Sequence, residues 1–154
     1  MGKTYSKIYI MAVFAVKGRE NNIRMSFKDE LHKYISGILK NEGVYPLAVG
    51  GWKDHVHVLF TMQPNHCISD IIRVVKSNSS KWLNENFDFS SKFQWQEGFG
   101  AFSYHESRLE GMIQYIMHQE QHHSNKTFKE EYYDLLKEFN MDILTQNSFQ
   151  FEEE

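Results

Sequence analysis

The stretch that decides the fold is Val44–Met62, which reads VYPLAVGGWKDHVHVLFTM. It contains two runs rich in apolar and β-branched residues, Val44–Gly51 and Asp54–Met62, on either side of a short polar turn. Such runs predict two strands joined by a tight turn. In the second run His55 and His57 alternate with valines, so both imidazoles would project from one face of a sheet while the apolar side chains are buried on the other.

The segments around this pair extend it to an α+β domain. Tyr5–Val16 predicts a central strand, and Phe93–Glu97 and Phe99–Tyr104 predict a short hairpin around Gly98. Apolar residues at helical spacing predict one helix from Ser26 to near Gly43, and a second that contains Ile68, Ile71, Ile72, Val75, Ser79, Trp82 and Leu83. The resulting β-α-β-β-α-β order predicts a ferredoxin-like antiparallel sheet, with helices on one face and the other face open to a ligand.

Two further helices are predicted after the sheet. Each is opened by a capping box, Ser107 with Glu110 and Thr127 with Glu130. We therefore expect a single domain over residues 1–141, followed by an acidic tail at residues 142–154.

The composition limits the classes of protein to consider. The chain has 154 residues with 41% hydrophobic and 15% aromatic side chains, which favours one folded domain over a disordered segment. Its single cysteine, Cys67, excludes an internal disulfide framework and favours a reducing cytoplasm. No run approaches the ~20 apolar residues of a membrane span. We expect a cytoplasmic protein with no membrane partner.

The charge is unevenly distributed along the chain. The formal net charge of −3 argues, taken alone, against a nucleic-acid-binding protein. Met1–Lys126, however, carries 15 basic and 12 acidic residues, whereas Thr127–Glu154 carries 2 basic and 8 acidic ones. The acidity is thus expected to lie beyond the candidate site, and the net charge does not exclude DNA.

Two pairs of histidines are candidate metal ligands. The Cα atoms of His55 and His57 would lie roughly 6.5–7 Å apart on one face of the strand, which suits two imidazoles on one metal ion. The alternative is two ordinary surface histidines. His118 and His122 lie four residues apart and could form a zinc pair, but no third ligand stands at a convincing spacing.

Tyr115 and Gln119 lie one helical turn apart and share a helix face. The phenol could act as a nucleophile and the amide oxygen as a metal ligand, or Tyr115 could simply pack on the core. Asp54 could orient a ligand histidine from behind or only close a turn. Gly111 lies inside the predicted helix, where it costs ~1 kcal/mol relative to alanine and would serve either close packing or a softer helix.

Polar side chains on the second predicted helix are candidate DNA contacts, and they could equally form a solvated helix face. These are Arg73, Lys76, Ser79, Ser80 and Lys81. Trp52 and Trp95 could stack on bases or pack in the core.

Asp54–Phe60, followed about sixty residues later by Tyr115 and Gln119, resembles the HUH single-tyrosine transposases of the simplest bacterial insertion sequences. HUH denotes a histidine, a hydrophobic residue and a histidine, here His55-Val56-His57. The resemblance runs from about Lys7 to Met141, and the further segments that carry it are Glu30–Ile35, Lys76–Trp82, Phe93–Ser103 and Thr127–Tyr132.

This resemblance implies a DNA transposase that cleaves and rejoins single-stranded DNA at hairpin-marked element ends. His55, His57 and Gln119 would bind Mg²⁺ or Mn²⁺, and Tyr115 would form a 5′-phosphotyrosine link and leave a free 3′-OH. Such a link retains the bond energy, so no nucleotide cofactor is implied, and the chain has no GxxxxGK[ST] phosphate loop. The resemblance also implies a homodimer, in which Tyr115 of one subunit could complete the metal site of the other.

Two alternatives remain open at the level of the sequence. One is a repeat-associated or domesticated relative that nicks DNA by the same chemistry. The other is a ferredoxin-like nucleic-acid-binding module whose motif residues are not used for catalysis.

Overall fold

The computed structural model describes residues 2–123 and 126–141. Within these residues, four strands form one antiparallel sheet with β1 and β3 in the centre. The strands are β1 (Tyr9–Ala15), β2 (Tyr45–Gly51), β3 (His55–Thr61) and β4 (Gly100–Ser103). The helices are α1 (Lys28–Asn41), α2 (Ile68–Asn86), α3 (Leu109–Met117), α4 (Gln119–His122) and α5 (Phe128–Glu138).

The order of these elements confirms the predicted α+β fold. α1 connects β1 to β2, and α2 connects β3 to β4, which gives β-α-β-β-α-β with the sheet order β2-β3-β1-β4. This is the ferredoxin-like arrangement. The two strands predicted within residues 44–62 are β2 and β3, and a register shift between Pro46 and Ala48 interrupts their pairing.

One face of the sheet, called here the first face, packs against α1 and α2. The apolar residues of β3 point to this face, as the alternation predicts. They share one buried cluster with side chains from β1 and both helices, including Ala12, Phe14, Val56, Val58, Phe60, Leu31, Ile35, Ile72 and Leu83. α1 ends two residues before Gly43, whose φ of +76° is the left-handed conformation that commonly follows a helix.

The opposite face, called the second face, is not open as the sequence suggested. α3 and α5 cover it, and Met112, Ile116 and Tyr132 from these helices pack against sheet residues such as Met11 and Leu59.

The approach of α3 to this face is close. A Cβ on Gly50 of β2 would lie 2.3 Å from the carbonyl oxygen of Ile116, so only glycine accommodates this contact. The polar residues of the second face therefore lie between the sheet and two helices.

The hairpin predicted for Phe93–Tyr104 is wrong. β4 pairs with β1, and Trp95 forms an isolated bridge with Val16 instead of pairing with β4. The physical reason is the packing of the aromatic rings in this segment. The Trp95 ring meets that of Phe14 edge-on at 4.8 Å between centroids, which holds the segment against the first-face core.

Of the two predicted capping boxes, the N-cap hydrogen bond forms at Thr127 and does not form at Ser107. Thr127 Oγ1 accepts a hydrogen bond from the backbone N–H of Glu130 at 3.2 Å, which caps α5. Ser107 does not cap α3, because a 3-10 turn over Glu106–Arg108 precedes that helix. No helix in the described ranges combines the length and apolar character needed to cross a membrane.

Candidate active site

β3 is a central strand, and this places His55 and His57 deep in the second face. Both side chains are fully buried, which excludes the alternative of two surface histidines. Their ring centroids lie 5.1 Å apart. The Nε2 atoms of His57 and His55 lie 2.8 and 3.4 Å from the same oxygen, Oε1 of Glu131. The strand thus brings two imidazole nitrogens to one point, as the spacing predicted.

The other ring nitrogen of each histidine, Nδ1, contacts a second side chain. Nδ1 of His55 lies 2.8 Å from Oδ1 of Asp54, which is the contact suggested for Asp54. Nδ1 of His57 lies 3.4 Å from the sulfur of Met11. With the Nδ1–H of His55 donated to a carboxylate, its Nε2 faces the cluster, and histidines that bind metals are commonly held in this way.

The Gln119 side chain reaches the cluster from the first position after a break in the helix. α3 ends at Met117, and His118, with φ −114° and ψ 35°, separates it from α4. The side-chain amide of Gln119 donates to the carbonyl oxygen of Tyr115 at 3.1 Å. Its Oε1 then lies 3.0 Å from Nε2 of His55 and 3.1 Å from Nε2 of His123. Tyr115 and Gln119 therefore stay in contact across the break in the helix.

The structure adds a carboxylate that the sequence analysis did not place in the site. Glu131 of α5 is buried, with Oε1 on His57 and His55 and with Oε2 3.1 Å from Nε2 of His123. The expectation that the acidity lies beyond the site is therefore wrong at this residue. A signal was available, because Glu131 lies on the same face of α5 as the buried Phe128 and Leu135. An acid within an apolar stripe is unusual unless it has a partner.

The cluster is strongly coupled electrostatically. Burial alone would raise the pKa of Glu131, but the charge of His57 and hydrogen bonds to three histidines hold it well below its usual range. Burial opposes protonation of His55, yet the hydrogen bonds to Asp54 and Glu131 outweigh it and raise the pKa of His55 to about 9. Burial lowers the pKa of His57 despite the neighbouring carboxylate. In the metal-free protein, a protonated His55 thus neutralises the buried Glu131.

The donor atoms also fit a divalent metal ion. Ligands at right angles around an ion bound at ~2.1 Å lie ~3.0 Å apart. Oε1 of Glu131 lies 2.8 and 3.4 Å from the two histidine nitrogens, and the nearest ligand atoms of His55, His57 and Glu131 all lie within 4.8 Å of one another. Two imidazoles and a carboxylate suit Mn²⁺ and Zn²⁺, whereas Mg²⁺ prefers oxygen ligands.

Tyr115 of α3 lies next to this cluster. Its ring meets that of His57 edge-on at 5.7 Å between centroids, and Tyr115 and Glu131 line one cavity. Burial, followed by the charge of Glu131, raises the pKa of the phenol well above its usual value. All four motif side chains come from one chain. Sharing of the site between subunits stays a prediction.

The rival zinc pair receives no support from the part that is described. The exposed His118 points back along α3, where its Nδ1 lies 2.7 Å from the carbonyl oxygen of Gln114. The side chain of His122 lies outside the described part of the structure.

The predicted DNA contacts divide into two groups. Arg73, Lys76 and Ser80 line a groove of about 1580 Å³ on the first-face side, together with Lys17 and Lys92. Nζ of Lys76 donates to the carbonyl oxygens of Gln96 and Gly98 at 2.7 and 2.5 Å, and burial lowers its pKa to about 8.

Ser79 and Lys81 are not among the residues that line this groove. Ser79 is buried and accepts a hydrogen bond from Nε1 of Trp95, so Trp95 packs in the core rather than being free to stack on bases. Lys81 is exposed and lies 4.0 Å from Glu85 in the next turn.

Residues 4–119 match the family model described as "Transposase IS200 like", which is well over half of the chain. The chain belongs to the IS200-like transposase family. The resemblance noted in the sequence is confirmed, and the activity that the family supports is that of an enzyme of DNA transposition. The match includes His55, His57, Tyr115 and Gln119 and ends there, so Glu131 lies outside it.

Two solved structures share the fold of this transposase. A candidate transposase from Deinococcus radiodurans R1 is 22% identical, with a TM-score of 0.63 over 77% of this chain and 96% of the other. A REP-associated tyrosine transposase bound to a REP hairpin is 14% identical, with a TM-score of 0.55 over 75% of this chain and 68% of the other. No match was found among curated proteins.

Proposed function

We propose that this transposase cleaves and rejoins single-stranded DNA through a covalent bond to Tyr115, at a metal centre held by His55, His57, Glu131 and Gln119. One observation carries the proposal. Tyr115 lies against His57 and lines one cavity with Glu131, the carboxylate on which the two histidine nitrogens converge. A nucleophile placed beside a site for a divalent cation is an arrangement suited to phosphodiester cleavage.

The residues of the cluster would divide the work between them. Imidazole nitrogens from β3 and oxygens from Glu131 and Gln119 would hold the ion, with Asp54 orienting His55. A bound Mg²⁺ or Mn²⁺ would supply Lewis-acid chemistry at the phosphate oxygens. The donor set favours Mn²⁺ of these two, because imidazole is a poor ligand for Mg²⁺.

In the covalent step, the oxygen of Tyr115 forms a bond to phosphorus while the bond from phosphorus to the 3′ oxygen breaks. The phenol loses its proton, the 3′ oxygen gains one, and the products are a 5′-phosphotyrosine and a free 3′-OH. Rejoining reverses the exchange when a 3′-OH attacks the phosphotyrosine. The number of phosphodiester-type bonds is unchanged, so no nucleotide cofactor is required.

The DNA partner is proposed on two grounds. The first-face groove carries Lys17, Arg73 and Lys92 together with the hydroxyl of Ser80, groups that bind backbone phosphates. The solved relative of similar fold is described as bound to a REP hairpin. We therefore propose hairpin-bearing single-stranded DNA as the substrate and the groove as a contact for its backbone. The homodimer stays a prediction.

The test is covalent capture. The protein is incubated with a labelled single-stranded hairpin oligonucleotide and Mn²⁺, and the adduct is measured on a denaturing gel. Tyr115→Phe should reduce the adduct to background, whereas Tyr45→Phe, which alters an exposed tyrosine on β2, should leave it unchanged. Adduct formation by Tyr115→Phe would refute the assignment of the nucleophile. Binding of the oligonucleotide by the wild-type protein without any adduct would favour a non-catalytic module.

A further inference from the structure

The second-face helices do not close over the site. A cavity of about 670 Å³ lies between α3 and α5, and Tyr115 and Glu131 both line it. Apolar side chains, Met112 from α3 and Leu135 from α5, form part of its wall. We call this cavity the α3–α5 cleft. Its volume is within the ~300–1,000 Å³ of typical ligand sites.

Gly111 lines the cleft one helical turn before Tyr115, on the same face of α3. A Cβ at this position would meet no atom within 4 Å, so close packing of the chain against itself does not require glycine here. Glycine is a weak helix former, and alanine would stabilise α3. The effect of glycine that remains is on the cleft, because position 111 adds no side chain to its lining.

Two cations line the same cleft, and each is paired with a carboxylate of α5. Nη2 of Arg108 lies 3.1 Å from Oε1 of Glu138, and Nζ of Lys126 contacts Oδ2 of Asp134. All four side chains are between 40% and 56% exposed. Exposed ion pairs contribute little net stability, so another anion could replace either carboxylate at small cost.

We propose that the α3–α5 cleft binds the DNA strand being cleaved, with its backbone phosphates on Arg108 and Lys126 in place of Glu138 and Asp134. The nucleotide beside the cleaved phosphate packs over Gly111. The inference rests on the proposed function, because it assigns a path to the strand that reaches Tyr115. Its ligand is the sugar–phosphate backbone of single-stranded DNA.

Gly111→Leu tests whether a nucleotide packs over position 111. The matched control is Gly37→Leu. Gly37 lies in the middle of α1, is exposed, and likewise has no atom within 4 Å of a Cβ. Leucine should raise the melting temperature in both variants, because both glycines are helical.

In a Tyr115→Phe background, which separates binding from cleavage, Gly111→Leu should weaken the affinity for a labelled single-stranded oligonucleotide at least tenfold. Gly37→Leu should leave the affinity unchanged. In the protein with Tyr115 intact, Gly111→Leu should slow adduct formation by a similar factor.

The replacement of the α5 carboxylates by DNA phosphates is tested by measuring the DNA affinity at several salt concentrations. Removing two phosphate contacts with Arg108→Ala and Lys126→Ala should reduce the slope of log affinity against log salt by about 1.4. Lys33→Ala and Lys40→Ala, on exposed positions of α1, should have no comparable effect. Asp134→Asn with Glu138→Gln should strengthen binding, because it removes the competing carboxylates.

The outcomes separate this inference from the function on which it rests. If the wild-type protein forms no Tyr115 adduct, the proposed function fails. If the adduct forms, but Gly111→Leu binds and reacts like Gly37→Leu, the cleft is not the path of the strand and the proposed function stands. If the variant that lacks Arg108 and Lys126 has an unchanged slope of log affinity against log salt, these two side chains do not bind DNA phosphates.

Discussion

The two faces of the sheet use the same strands for opposite purposes. On the first face, β3 contributes Val56, Val58 and Phe60 to an apolar core under α1 and α2. On the second face, the same strand contributes His55 and His57 to a buried polar cluster under α3 and α5. The first face gains free energy from burial of apolar area. The second face buries charge, which is stable only while each charged group keeps its partner.

Adjacent residues of one strand thus serve packing on one face and chemistry on the other. Because successive side chains alternate, substitutions on one face need not disturb the other. The first face should therefore respond to lost volume, and the second face to lost charge, metal or protons. Substitutions on one face, combined with a measurement on the other, test whether the two faces are independent.

The largest effect is expected from Phe14→Ala on the first face. Phe14 is fully buried and contacts the Trp95 ring, so its removal leaves a cavity. The free energy of unfolding should fall by about 3–5 kcal/mol in urea denaturation. The affinity for Mn²⁺, measured by calorimetry on the folded variant, should change less than threefold. A large loss of metal affinity would show that the two faces are not independent.

The second expected effect is a pH dependence on the second face. The pKa of His55 is raised from 6.5 to about 9 in the folded protein, so its contribution to stability is fully present below pH 6.5 and is lost as the pH rises through about 9. The loss should amount to about 3 kcal/mol at most. Urea denaturation with a chelator at pH 6.5 and pH 9 measures it.

Asp54→Asn provides the control for that pH dependence. It removes the carboxylate that accepts from His55 Nδ1, and it should therefore shrink the difference between the two pH values. The lowered pKa of Glu131 has the opposite sign, with stability fully present above pH 4.5 and declining at lower pH. An equal pH dependence in Asp54→Asn and wild type would contradict this account of the cluster.

The third prediction concerns the metal and Glu131. Glu131→Gln keeps the shape of the side chain but removes the charge that faces both histidines. Mn²⁺ at 100 times its dissociation constant should stabilise the wild type by about 2.7 kcal/mol, and most of this gain should disappear in the variant. Thermal unfolding with and without Mn²⁺ measures the difference.

Glu130→Gln is the matched control for that substitution. Glu130 is the exposed neighbour on α5, and glutamine is accepted at this capping position. It should retain the full stabilisation by Mn²⁺. If Glu131→Gln retains it as well, the carboxylate is only a counter-ion to His55 and not a metal ligand.

The smallest effect is expected from the cap of α5. Thr127→Ala removes the side chain that accepts from the Glu130 N–H, at a typical cost of ~1 kcal/mol. Because α5 carries Glu131, the affinity for Mn²⁺ should weaken along with stability. Ser107→Ala, at the capping box that does not form, should change the affinity for Mn²⁺ by less than the error of the calorimetry. Equal losses of Mn²⁺ affinity in both variants would show that the α5 cap does not support the metal site.

The sequence predicts most of the first face and only part of the second. Local alternation places His55 and His57 on one face, and helical spacing places Gln119 one turn after Tyr115. These features depend on residues close in sequence. Glu131 was missed because its burial depends on how α5 docks across the sheet, and its place in the apolar stripe of α5 does not by itself identify its histidine partners.

The same reason explains the wrong expectations. The second face was expected to be open because its cover comes from helices that follow the sheet. The hairpin failed because the Trp95 ring has a better partner in Phe14, far away in sequence. The tail predicted at residues 142–154 lies outside the described residues, and the homodimer stays a prediction.

The position of Glu131 has a consequence for how the protein is made. A ribosome synthesises the chain from its first residue, so both histidines, Tyr115 and Gln119 emerge before the carboxylate that joins them. A chain released before α5 would contain every residue of the family motif and still lack Glu131, the carboxylate that faces both His55 and His57. Full metal affinity, and with it the ability to cut DNA, would thus arise only after α5 has been synthesised and has docked.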